Sequence, residues 1–123
     1  MAEHNIDSHQ INACNKGIEI LAYGDTVGGA CKSFRLTYKP KNTPWQSTFL
    51  HFQDGEIDTV GTNGLTHEAL IAIVIDRLKG FQEGPWACPE NAMAIEQLNT
   101  AMDTLSERTK LRDERGVEGT HEI

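Results

Sequence analysis

The chain has 123 residues, a formal net charge of −7 and 38% apolar residues, enough for one compact domain, or a small domain with an appendage, around a thin core. This acidity argues against a nucleic-acid polymer as partner, because phosphate backbones select broad basic surfaces. The polar opening MAEHNIDSHQ has no apolar signal region, and no run reaches the length of a membrane span, so a soluble, cytoplasmic protein is expected.

Residues Met1 to Asn15 read as a mobile arm or an edge segment that docks late. Three strand-like runs come next: GIEILAY (Gly17 to Tyr23), SFRLTYK (Ser33 to Lys39) and STFLHFQ (Ser47 to Gln53). The second alternates cleanly, with Phe34, Leu36 and Tyr38 on one face and Arg35 and Thr37 on the other. Turn chemistry separates the runs: GDTVGGA (Gly24 to Ala30), PKNTP (Pro40 to Pro44) and Asp54-Gly55, a hairpin signal that makes EIDTV (Glu56 to Val60) the return strand. Spacings this short build an antiparallel meander, since parallel crossovers need a dozen or more residues.

The period then changes. GTNG breaks the sheet, Thr66 is a candidate N-cap, and HEALIAIVIDRLKGF predicts a helix from His67 to about Gly80. Its residues leave almost no polar side, so several of its faces must be covered. QEGPWACP forms the loop, and its prolines stop one helix and start the next. The second helix spans about Glu90 to Arg115, with Ile95, Leu98, Met102 and Leu105 at the spacing of a coiled-coil seam, and Gly116 and Gly119 end it. The expected fold class is α+β. Residues 1–63 form a small antiparallel β-sheet with its mobile arm, and residues 64–123 an antiparallel two-helix hairpin that oligomerises, with a tail.

Cys14, Cys31 and Cys88 are far apart and form no CxxC pair, so they read as reduced thiols. His4, His9, His51, His67 and His121 show no metal-site spacing, and no metal or cofactor is expected. Positive charge is concentrated in one place. Three of the five arginines lie between Arg108 and Arg115, a segment with four cations and two acids inside an acidic half. At about 100° per residue Arg108, Arg112 and Arg115 fall within roughly 60° of one another, while Glu107, Asp113 and Glu114 project more than about 90° from Arg108. The three guanidiniums span about 10 Å of helix axis, which suits two phosphates on one small molecule. A solvated face that complements the helix macrodipole is the plainer alternative.

The second helix is also longer than the first by roughly ten residues, or about 15 Å. That overhang is the arginine segment, and it is not stable alone in water. Another copy of the hairpin is the economical partner. Phe81 and Asn91, at the loop end, read either as a stacking ring and a base-reading amide or as a core aromatic and a capping amide. Asn91 and Arg112 lie about 30 Å apart along one helix, so a compact ligand touching both must sit between two copies.

The stretch GLTHEALIAIVIDRLKGFQEGPWACPENAMAIEQL and the later ERTKLRDERGVEGTH resemble the hairpin of the Thoeris anti-defence protein 1 family, and are similar to the related anti-CBASS sponge proteins of phages. IDRLxGFQxGPxAC, ENAxA and RGVEGTH carry the resemblance, which covers about the last sixty residues. The chain departs from it in reading ACPENA, with Pro89 in place of a basic residue. The resemblance implies a sponge with no catalytic turnover, acting in the cytoplasm of the infected bacterial host. Its ligands would be cyclic ADP-ribose isomers (gcADPR) made by bacterial TIR proteins; some members of the group also hold cyclic di- or trinucleotides made by CBASS cyclases, in a separate site. It implies a homodimer, or a homohexamer built from dimers. Carried over by motif, Phe81 would stack on adenine, Asn91 would contact base or ribose, Arg108, Arg112 and Arg115 would hold phosphates, and the GVEGTH tail would help close the pocket. The competing readings are a hydrolase of the same nucleotides, using Glu118 and His121, and a purely structural oligomer.

Overall fold

The computed structural model describes residues 3–114 and Gly116, with Val27 and Asp113 described by backbone alone. Arg115, Glu118, Gly119, His121 and the GVEGTH tail beyond Gly116 lie outside the described residues. The chain divides into two compact units, residues 1–54 and 55–123. The fold class is α+β, an antiparallel sheet followed by helices.

The first unit is a four-stranded antiparallel sheet in chain order: β1 (His4–Ile6), β2 (Glu19–Val27), β3 (Ala30–Tyr38) and β4 (Gln46–His51). A one-turn helix, α1 (Ala13–Lys16), links the first two strands and is capped by Asn12, whose side chain accepts from the Asn15 N–H. The amino-terminal segment therefore docks as an edge strand, pairing His4 with Ala22 and Ile6 with Ile20. His9 anchors this connection, its Nε2 lying 2.6 Å from the Ile18 carbonyl oxygen.

The expected turn from Gly24 to Ala30 is shorter than the sequence suggests. β2 continues to Val27, and only Gly28 and Gly29 make the turn, both with positive φ (60° and 92°), the backbone of a two-residue hairpin. Gly24 has a separate task. The register steps from Tyr23–Ser33 to Thr26–Cys31, so Gly24 and Asp25 oppose the single residue Lys32, and Gly24 takes φ 90° at this bulge. One face of the sheet carries Ala22, fully buried, beside Phe34, whose ring meets that of Phe52 edge to face at 5.4 Å. The other carries buried Ser33, whose hydroxyl is satisfied by His51 Nδ1 at 3.0 Å.

Glu56 to Val60 is a helix and not the expected return strand. Gly55 does turn the chain, with φ 104°, but the next residues wind into α2 (Ile57–Val60), with Val60 and Gly61 N–H groups bonding back to Glu56 and Ile57. Five residues are too few for period 2 and period 3.6 to be told apart.

The second unit is dominated by α3 (His67–Gln82) and α4 (Pro89–Glu114). Thr66 caps α3 as expected, its Oγ1 accepting from the Ala69 N–H at 3.1 Å. Ile75 is buried, while Ile73 and Val74 stay exposed, so one face of an all-apolar helix is left uncovered within a single copy. None of the helices among the described residues is long and apolar enough to cross a membrane.

Candidate functional site

A six-residue connection, Glu83 to Cys88, joins the packed helices, and so short a link makes them run antiparallel. The loop is held from both ends. Gln82 treats Cys88 as a strand would: its Oε1 accepts from the Cys88 N–H at 2.9 Å and its Nε2 donates to the Cys88 carbonyl at 3.1 Å. From α4, the Asn91 amide donates to the Trp86 carbonyl at 3.1 Å. Asn91 thus helps to shape the loop while its own carbonyl oxygen remains available as an acceptor.

Phe81 stands half-buried in the last turn of α3. Trp86 meets it edge to face, with ring centres 5.4 Å apart and planes at 74°, and Trp86 is itself 70% exposed. Arg77, one turn earlier, lays its guanidinium carbon 4.9 Å from the centre of the Phe81 ring. An open aromatic pair with a stacked cation suits a flat, electron-rich ring with an attached anion. Sequence reasoning singled out Phe81 and Asn91 and missed Arg77 and Trp86. The signals were the four-residue step from Arg77 to Phe81 and an unpartnered tryptophan in the loop.

The other end of α4 carries the arginines. A half-buried stripe runs through Asn91, Ile95, Leu98, Met102 and Leu105, and continues to Thr109 and Arg112. Arg112 is half-buried and already engaged by a neighbour, whereas Arg108 is exposed. A shallow depression on α4 is lined by Thr100, Asp103, Thr104, Glu107, Arg108 and Leu111. With two carboxylates to one guanidinium, this depression disfavours an anion. No group of side chains that could hold a metal ion occurs among the described residues.

Length separates the two clusters. α3 has 16 residues and α4 has 26, so α4 overshoots by about 15 Å at about 1.5 Å per residue. Asn91 is about 25 Å from Arg108 and about 31 Å from Arg112 along the axis. Within one copy the structure brings Phe81, Trp86, Arg77 and Asn91 together, and it keeps Arg108 and Arg112 apart from them.

The family model described as the Acb2/Tad1 hairpin domain matches residues 50–109. Residues 50–109 are therefore similar to an Acb2/Tad1 hairpin domain. The match takes in Phe81, Asn91 and Arg108 and stops short of Arg112. Over 73 residues the chain is also 51% identical to "Thoeris anti-defense 1" of Bacillus phage SBSphiJ7, a stretch covering 59% of this chain and 51% of that relative. The chain thus spans about half the length of the curated relative it matches. In this hairpin the loop end is aromatic and the overhanging end is cationic.

Proposed function

We propose that this chain is a phage anti-defence protein that binds and sequesters cyclic ADP-ribose isomers made by bacterial TIR proteins, without cleaving them. It acts in the cytoplasm of the infected host. The name of its relative and the hairpin match support the anti-defence role. The site is shared between two copies in a homodimer, or in a homohexamer built from dimers. Phe81 stacks on adenine, Asn91 contacts base or ribose, and Arg108, Arg112 and Arg115 from the second copy hold the phosphates.

One observation carries this reading: the aromatic and cationic ends of α4 are about 31 Å apart, beyond the reach of one compact ligand within one copy. An antiparallel partner places its overhang at the other's loop end, so both clusters meet twice per dimer. The overhang also gains the packing that an isolated helix end lacks. A sponge works by mass action and needs roughly nanomolar affinity, about −12 kcal/mol. A cyclic ligand assists because its shape is fixed before binding.

Mixing two defective variants tests the shared site. Phe81→Ala and Arg112→Ala are each expected to bind a cyclic ADP-ribose isomer weakly. After the two are unfolded and refolded together, each mixed dimer holds one intact pocket and one doubly altered pocket. Recovery of tight binding at a minority of sites is the expected result. No recovery, with mixed dimers present by mass, would overturn the shared site. Heating the complex then tests sequestration: intact messenger must be released, and a linear product would identify a hydrolase.

A further inference from the structure

We propose, on the reading that the loop end of the hairpin binds a cyclic ADP-ribose isomer, that Trp86 is a further ligand-binding residue. Its indole is a second aromatic wall beside the base on Phe81, and its Nε1–H donates a hydrogen bond to the ligand.

Two rings at a steep angle form a corner. The planes of Phe81 and Trp86 stand at 74° with centres 5.4 Å apart, so a flat ring lying along one of them meets the other edge-on. Phe81 is half-buried, and the Arg77 guanidinium already lies 4.9 Å from its centre. Phe81 alone therefore offers a base little more than one side. Trp86 offers far more: it is 70% exposed, and no other aromatic residue among the described ones is as exposed. Its Nε1–H has no hydrogen-bond partner among the described residues. An indole whose only task was to close the loop would turn inward and satisfy that donor, as buried tryptophans do.

The backbone closes the loop instead. Asn91 donates to the Trp86 carbonyl at 3.1 Å, Gln82 holds the N–H and carbonyl of Cys88, and the Gly84 N–H donates to the Phe81 carbonyl at 3.1 Å. Pro85 restricts the backbone just before the indole. The ring thus stands on a fixed frame and loses little freedom when a ligand arrives. Charge indicates which part of the ligand it meets. Glu83 opens the loop and Glu90 follows it, and carboxylates disfavour a phosphate. The uncharged base and sugar suit this corner, which leaves the phosphates to the arginines of the second copy.

Fluorescence titration of the full chain with a cyclic ADP-ribose isomer, with calorimetry alongside, tests the assignment. Trp45→Phe leaves Trp86 as the single tryptophan. Its emission should be quenched and its access to acrylamide reduced, both saturating where the heat of binding saturates. Trp86→Ala should weaken binding at least about fivefold, through the lost ring contact and hydrogen bond together. Trp86→Phe keeps a ring and loses the N–H, and should fall between wild type and alanine. Wild-type affinity in Trp86→Ala would overturn the role of Trp86 and leave the sequestration reading standing. So would emission and acrylamide access that stay constant through a saturating titration. Failure of the wild type to bind any cyclic ADP-ribose isomer would overturn that reading and the role of Trp86 together.

Discussion

The guanidinium of Arg77 lies 4.9 Å from the centre of the Phe81 ring, one turn away on α3. One face of the ring is thus occupied by a cation, and a stacking base must use what Arg77 leaves. An exposed contact of this kind contributes about 0.5–1 kcal/mol, whereas a base on an aromatic ring is worth about 1–3 kcal/mol by alanine substitution. Phe81→Ala is expected to weaken binding of a cyclic ADP-ribose isomer roughly 5- to 150-fold, and Arg77→Ala no more than about fivefold. Titration calorimetry on both variants checks the ranking. An equal loss for Arg77→Ala would mean that this guanidinium touches the ligand directly.

Arg112 lies on the continuation of the half-buried stripe of α4, and Arg108 is exposed beside it. Hydrogen bonds to charged groups contribute about 1.5–3 kcal/mol, so Arg112→Ala should weaken messenger binding at least about tenfold. Arg112→Lys keeps the charge but loses the planar fork, and should fall between wild type and alanine. An unchanged dissociation constant for Arg112→Ala would remove this residue from the site.

Gln82 holds Cys88 through two backbone hydrogen bonds, at 2.9 and 3.1 Å. Each such bond contributes about 0.5–1.5 kcal/mol net, so Gln82→Ala is expected to cost about 1–3 kcal/mol in urea unfolding. Because the clamp fixes the loop bearing Trp86, ligand affinity should fall as well, although Gln82 has no assigned contact with the ligand. Gln82→Glu retains an acceptor for the Cys88 N–H but turns the donating side into a repulsion. Stability of Gln82→Ala equal to wild type would show that the clamp contributes nothing.

The helices were legible because a long apolar run with Thr66 before it and prolines after it admits few alternatives. β3 was legible from its clean alternation. The stretch from Gly24 to Ala30 was not, because its glycines serve two unrelated needs, a bulge at Gly24 and a turn at Gly28-Gly29, and composition cannot separate them. EIDTV misled for a similar reason: Asp54-Gly55 does mark a reversal, but packing decides which element forms after it. At the site, Phe81 and the arginines stood out as residue types at a spacing. The Trp86 contact with Phe81 did not, since it depends on how the loop folds back under the Gln82 clamp, whereas Arg77 meets the ring through the four-residue spacing of α3 itself.

Ile75 and Ile73 are two residues apart on α3, with 7% and 64% exposure. Ile75→Ala should destabilise the hairpin by about 2–4 kcal/mol, a transfer loss plus a cavity. In dilute solution, with copies apart, Ile73→Ala should change stability by no more than about 0.5 kcal/mol. If copies meet through this uncovered face, the same Ile73→Ala must lower the melting temperature at high concentration, where assembly stabilises the fold. Melting curves over a hundredfold concentration range compare the two substitutions. Identical behaviour of Ile73→Ala at both ends of that range would exclude this face from assembly.

Lys32, opposite the Gly24–Asp25 bulge, makes an ion pair with Asp54 at 3.0 Å. Its hydrogen bond to Asp54, then the charge of that carboxylate, raise the ammonium above its usual 10.5; Asp25 adds to the rise and burial opposes it. Both partners are partly exposed, so solvent and salt reduce what the pair contributes. Linkage gives the sign. A folded-state value above the unfolded one gives stabilisation that is fully present below the unfolded value and is lost as pH rises through the folded one. The melting difference between wild type and Lys32→Met should therefore be flat from neutral pH to about pH 10 and shrink above it, and added salt should shrink it at every pH. A difference that widens above pH 10.5 would mean that Lys32 stabilises the sheet through the packing of its methylene chain, with the charge opposing it.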